Sequence, residues 1–277
     1  MTSELKDQQT VNHLQQSEPV EQFQWTKQWY PVAVANFIDS SKPHSIQLLG
    51  KELVLWQDDD SNWHCWENVC PHRGVPLSEG RIEADGTLSC AYHGWRFSGE
   101  GKCVKIPQSS DAETEASNCA HFQACLTVYP TQVAQGLIWV WGESGSQALE
   151  ESQLQKPRLT PELEENSDNV VKSPWTIRDL PYGWDFFMEN VSDPAHVPFS
   201  HHGLQGNRYS DDKYYDMIPI RKPSTQEGFS FSVTPVAENL QETVHDFQPP
   251  CYMRIASTYQ DGSQLILALY AIPTHPG

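Results

Sequence analysis

Cys70-Pro-His72-Arg-Gly74 and Cys90-Ala-Tyr-His93-Gly94-Trp95 each offer one thiolate and one imidazole in a turn that ends on glycine. Residues 73–89 lie between the two histidine- and cysteine-bearing ends, so the stretches belong to separate loops that flanking strands must bring face to face. Two thiolates on one iron and two neutral imidazoles on the other form the ligand set of a [2Fe–2S] centre with a raised potential, about −150 to +300 mV. Gly74 and Gly94 allow tight turns, so that backbone N–H groups can reach cluster sulfurs. Zinc accepts the same four ligands, but zinc motifs usually pair Cys with Cys and His with His, whereas each loop here is mixed. A buried cysteine with an incidental histidine is the plainer account of either stretch alone. The pairing argues against it.

Around these loops the chain reads as short strands. Ser45–Trp56 holds two apolar runs about Gly50-Lys51, the pattern of a β-hairpin. Asn62–Val69, Thr87–Tyr92 and Gly136–Trp141 add strands, punctuated by Gly and Pro. Residues 23–145 are therefore expected to be an all-β domain, following a disordered tail over 1–22 that is polar and Gln-rich. Residues 146–169 are acidic and lack clear periodicity, as expected of a linker. A second domain over 170–277 opens with a helix from about Gly183 to Asn190, followed by strands at Phe229–Val233 and Leu265–Ile272.

Composition narrows the chemistry. The chain has 277 residues, 38% hydrophobic and with ten Trp, enough for two domains with cores of their own. Thirty-six acidic residues against 18 basic ones give a net charge of −18, which repels phosphate backbones and anionic membrane surfaces; nucleic-acid binding is set aside. Seven cysteines without a signal peptide point to a reducing compartment, where cysteine serves as metal ligand or core filler. Cys65, Cys103, Cys119, Cys125 and Cys251 remain; Cys65 and Cys103 flank the loops and could lie near the cluster, but core packing is the reading preferred for them. No apolar run approaches the ~18 residues of a membrane span, and the longest, Leu265–Ile272, reads as a buried strand. It is followed only by a turn, so the chain is expected to be truncated within its second domain.

A second constellation lies at Glu189-Asn190-Val-Ser-Asp193-Pro-Ala-His196-Val-Pro198-Phe-Ser-His201-His202. On one continuous helix His196 and His201 would point about 140° apart. Pro198 is expected to break the helix and let His201 fold back. Asp193-Pro194 reads as an N-cap and first helical residue of the turn that carries His196. Two histidines so placed suit two legs of a 2-His-1-carboxylate iron site. Asp246 and Asp261 are available acids, but each is expected on a solvated turn and neither is assigned as the third ligand.

The two loops resemble those of Rieske non-haem iron oxygenases. Respiratory Rieske proteins usually carry an additional disulfide-forming cysteine in each loop; Arg73-Gly74-Val75 and Gly94-Trp95-Arg96 have none. Asn190, Asp193, His196 and His201 match, in order, the oxygenase family's mononuclear iron signature. Gln24-Trp25, Trp29-Tyr30-Pro31, Pro76-Leu-Ser-Glu-Gly80 and Met188–His196 resemble the pheophorbide a oxygenase branch. That branch also includes the lethal-leaf-spot cell-death suppressors, protochlorophyllide- and chlorophyllide-oxidising enzymes and a chloroplast import component.

The resemblance implies an α+β chain: an all-β Rieske domain, then the N-terminal part of a helix-grip catalytic domain. It implies a [2Fe–2S] cluster on Cys70, His72, Cys90 and His93, and mononuclear non-haem Fe(II) on His196 and His201, with the third carboxylate outside this chain. Asp193 would be the inter-subunit electron bridge in a head-to-tail homotrimer, joining His196 to His93 of a neighbouring copy, and Asn190 would support the site. The implied reaction uses O2 and ferredoxin-derived electrons to oxygenate a chlorophyll-derived tetrapyrrole such as pheophorbide a; a small aromatic substrate and a non-catalytic electron carrier are the alternatives. Trp175, Trp184, Phe186, Phe187 and Phe199 are candidates to line the pocket. A Cys-x-x-Cys motif and membrane association are expected only from a missing C-terminal region. Without transit-peptide character, residues 1–22 suggest a photosynthetic bacterium, with the protein cytoplasmic or thylakoid-associated.

Overall fold

Leu49 and Gly50 both take positive φ, 51° and 77°, the two-residue turn whose twist matches that of paired strands. They join β2 (His44–Leu48) to β3 (Lys51–Gln57) in the expected hairpin. In the computed structural model, residues 22–164, 169–212, 214, 216–233 and 240–275 are described. The tail expected over 1–22 lies outside them except for Gln22.

The first half is mostly β, but not all β as expected: an α-helix, at Ala112–Cys119, interrupts its strands. β1 (Trp29–Val34) precedes the hairpin; β4 (Trp63–Glu67) extends it. Four short strands follow, β5 (Arg81–Ile82), β6 (Leu88–Ser89), β7 (Arg96–Phe97) and β8 (Cys103–Lys105), pairing in chain order as an antiparallel meander. Helix α1 (Ala112–Cys119) lies against β8. β9 (Val128–Tyr129) closes the β2-β3-β4-β9 sheet; β10 (Thr131–Ala134) and β11 (Leu137–Trp141) form a third sheet in the order β1-β11-β10. Trp56, Trp66, Leu77, Leu88 and Phe97 are fully buried in one core beneath the β5–β8 meander.

The segment expected to be a linker is folded onto this half. α2 (Ser146–Leu154) buries Ala148, and its Ser152 and Gln155 carbonyls both accept the Trp29 indole N–H, at 3.2 and 3.0 Å. α3 (Pro161–Glu164) follows. One buried alanine is too little apolar signal to show as periodicity, and the anchoring comes from a distant tryptophan.

α4 (Trp184–Ser192) and the one-turn α5 (Val197–Ser200) then precede a five-stranded antiparallel meander: β12 (Met217–Ser224), β13 (Gly228–Val233), β14 (Leu240–Gln248), β15 (Tyr252–Tyr259) and β16 (Gln264–Tyr270). Sheets with a few helices make the chain α+β, as expected. β16 is not the buried strand its apolar run suggested: it is an edge strand, and Leu265 and Leu267 are 51% and 41% exposed.

The second sheet is locked to the first half. The Leu49 and Gly50 N–H groups donate to the Pro273 and Thr274 carbonyls at 3.0 and 2.7 Å. Tyr270 stacks on Tyr252 and donates its hydroxyl to the Arg158 carbonyl at 2.7 Å. Arg254 on β15 pairs with Glu162 on α3.

Candidate metal centres

The two thiolate–imidazole loops have the same backbone plan. In the first, the Cys70 N–H donates to the Val75 carbonyl at 2.8 Å, and the Gly74 N–H returns to the Cys70 carbonyl at 2.8 Å. In the second, the Cys90 N–H donates to Trp95 at 2.9 Å, and the Gly94 N–H to Cys90 at 3.1 Å. Gly74 and Gly94 sit at φ 69° and 71°, where a side chain would strain the turn. Each loop is a knuckle that aims a cysteine and a histidine at the same space.

That space is shared. Cys70 and Cys90 are each 2% exposed, and their thiols interact directly; burial pushes the Cys70 thiol up, reinforced by the neighbouring Cys90. The His72 and His93 rings lie 4.6 Å apart, edge to face. Burial, and then the nearby His93 and Arg73, hold His72 below the ordinary histidine value, which favours the neutral imidazole a metal needs. His93 Nδ1 is buried without a hydrogen-bond partner, an unmet polar atom that a metal bond would satisfy. A thiol pair beside an imidazole pair fits a two-iron unit.

Residues that the sequence did not single out finish the setting. Trp95 stacks flat on His72, with centroids 4.6 Å apart and planes 6° apart. The Gln108 side chain donates to the His93 carbonyl at 3.1 Å, and Tyr92 packs on the His93 ring at 3.9 Å while staying 62% exposed. Gln108 lies beyond β8 and carries no local signal; only the fold brings it there.

At the second constellation, His196 and His201 stand at the two ends of α5, with ring centroids 5.3 Å apart. Pro198 does not break a helix between them. It falls in the first turn of α5, where its missing N–H costs nothing, and the turn's brevity is what folds His201 back. Asp193 is likewise not an N-cap; it ends α4, and its Oδ1 accepts the Ala195 N–H at 2.8 Å in an Asx turn. Its Oδ2 lies 3.6 Å from His196 Nδ1, itself buried and without a hydrogen-bond partner. With Nδ1 turned to the acid, Nε2 is the nitrogen left for a metal. Asn190 is on α4, one turn before Asp193, and lines a large groove.

No third acid joins these histidines among the described residues. Asp246 is not on a solvated turn as expected but within β14, engaged by Arg221 and Gln248; Asp261 does sit on a turn, accepting from Ser263. The groove, of about 2970 Å³, runs from His201 and Asn190 past Trp184 and Phe187 to Trp175 and β16. Phe186 and Phe199, expected to line it, are instead 65% and 52% exposed.

Paired knuckles on an antiparallel meander define a Rieske-type iron–sulfur protein, and residues 28–130 match the Rieske [2Fe-2S] domain. The chain is 43% identical over 189 residues to pheophorbide a oxygenase of Arabidopsis thaliana, covering 68% of this chain and 34% of that protein. It is 40% identical over 185 residues to the protochlorophyllide-dependent translocon component 52 of the same plant, covering 66% and 32%. Dicamba monooxygenase bound to dicamba has the same fold, with a TM-score of 0.69 over 92% of this chain and 75% of that one at 20% identity. The chain belongs to the Rieske non-haem iron oxygenases, on the branch that includes pheophorbide a oxygenase. It spans about a third of the length of the curated relatives it matches. Those relatives are chloroplastic, and among the described residues no helix is long and apolar enough to cross a membrane.

Proposed function

We propose that the protein is a terminal oxygenase that uses O2 and ferredoxin-derived electrons to oxygenate a chlorophyll-derived tetrapyrrole such as pheophorbide a. The observation that carries this reading is the identity to pheophorbide a oxygenase, together with the Asp193–His196–His201 geometry. Cys70 and Cys90 would hold one cluster iron, His72 and His93 the other; His196 and His201 would hold the mononuclear iron, its third ligand coming from outside the described residues. The cluster supplies single electrons and the mononuclear iron supplies O2 chemistry. Asp193 orients His196 through Nδ1. Half-exposed, it keeps room to accept a second imidazole N–H, from His93 of a neighbouring copy in a head-to-tail homotrimer. Asn190 faces the groove beside it, and Trp184, Phe187 and β16 give that groove an apolar wall suited to a wide macrocycle.

A second reading rests on another relative, flavonoid 8-hydroxylase 2 of Ocimum basilicum, 38% identical over 186 residues and covering 66% of this chain. It favours a smaller aromatic substrate. The test is to express the full reading frame and establish both iron types spectroscopically. Pheophorbide, chlorophyllide, protochlorophyllide and a flavone are then supplied with reduced ferredoxin and O2. Oxygenated tetrapyrrole is expected; turnover of the flavone alone would overturn the substrate assignment.

A further inference from the structure

Cys103 and Cys119 take no part in the sites above. Cys103 opens β8, 6% exposed, in the core that also contains Cys70 and Cys90. Cys119 is the last residue of α1, partly buried against the same core. Because α1 lies on β8, Cys119 packs against the core that holds Cys103 and the two thiols interact; a third thiol, Cys125, is exposed.

Between these two cysteines, residues 104–118 form a strap along the outside of the second ligand loop. The Ile106 N–H is held by the Glu115 carboxylate of α1 at 2.7 Å. Pro107 Cγ stands 3.2 Å from the position a Cβ on Gly94 would take, and Gln108 grips the His93 carbonyl at 3.1 Å. The strap therefore touches the loop at Gly94 and His93, and its two ends are the paired thiols.

We propose that Cys103 and Cys119 form a reversible dithiol–disulfide site, open to small-molecule disulfides, whose closure locks residues 104–118 against the His93 loop. Burial and the neighbouring Cys119 keep the Cys103 thiol protonated, so the more accessible Cys119 reacts first. The Cys119 thiolate attacks one sulfur of the external disulfide and expels one thiolate. Cys103 then loses its proton, attacks the Cys119 sulfur of the mixed disulfide and expels the second thiolate. Two protein thiols give up two electrons and two protons, and the external disulfide leaves as two thiols.

The test is incubation of the folded chain with oxidised glutathione, alkylation without prior reduction, digestion and mass spectrometry. A peptide linking Cys103 to Cys119 is expected, with Cys125 alkylated. Decay of the cluster's visible absorbance on warming is expected to slow about tenfold in the oxidised chain, since closing the loop restricts the opened state. Cys119→Ser should abolish that difference while keeping the absorbance. Cys119 found only as a glutathione adduct, or bridged to Cys125 with Cys103 free, would overturn the pairing. A linked peptide with unchanged decay would overturn the lock. The peptide readout needs no cluster, so it stands apart from the ligand assignment.

Discussion

His196 turns Nδ1 toward Asp193 Oδ2 at 3.6 Å, while Asp193 Oδ1 is already engaged by the Ala195 N–H at 2.8 Å. One carboxylate thus holds the turn that leads to His196 and faces its ring nitrogen. Asp193→Asn keeps a turn-forming carbonyl but removes the charge. It is expected to lower single-turnover product formation at least 100-fold, about 2.7 kcal/mol of barrier, with iron content unchanged. Metal analysis beside rapid quench checks this; retained turnover would exclude the bridge.

Gly74 and Gly94 have the same conformation but different neighbours. A Cβ on Gly74 meets nothing within 4 Å, so Gly74→Ala costs only the left-handed backbone, about 1 kcal/mol. At Gly94 the Cβ also presses on Pro107 at 3.2 Å. Gly94→Ala should therefore destabilise more than Gly74→Ala, in melts followed at the visible band.

The Glu162–Arg254 pair ties α3 to the second sheet. Burial alone would raise the Glu162 carboxyl, but the hydrogen bond and charge of Arg254 hold it below its ordinary value of 4.5. A depressed carboxyl stabilises the fold above its unfolded value, and that contribution is lost as pH falls through the folded one. Glu162→Gln should cost about 1 kcal/mol at pH 7 and progressively less below pH ~4.5. Denaturant melts across that window check the sign.

His93 lies against Tyr92 and is held from behind by Gln108. His93→Cys would replace a neutral ligand by a thiolate and should lower the potential by a few hundred mV, toward the ferredoxin value of about −400 mV. Film voltammetry reads this directly.

The sequence was most legible where chemistry is local. Mixed Cys/His knuckles, the β2–β3 hairpin (its turn at Leu49-Gly50, one residue before the expected Gly50-Lys51) and the β13 and β16 runs each carry their signal within a few residues. β14 and β15 do not, because charged residues such as Glu242, Asp246 and Arg254 interrupt their apolar pattern. α1 has an Asp111 cap bonded to Thr114 but no buried residue, so it lacks a stripe. The Pro198 turn misled because proline in a helix interior and proline in a first turn look alike in sequence. Gln108, Trp95 and Tyr92 show their roles only once the meander is folded.

Nitrogen coupling to the reduced cluster is the most direct probe of mixed sulfur–imidazole ligation. Pulsed EPR of the dithionite-reduced protein should show two histidine nitrogens bound to one iron, and His72→Ala or His93→Ala should lose the cluster. A reduced cluster without nitrogen coupling, or a protein containing only zinc, would contradict the assignment.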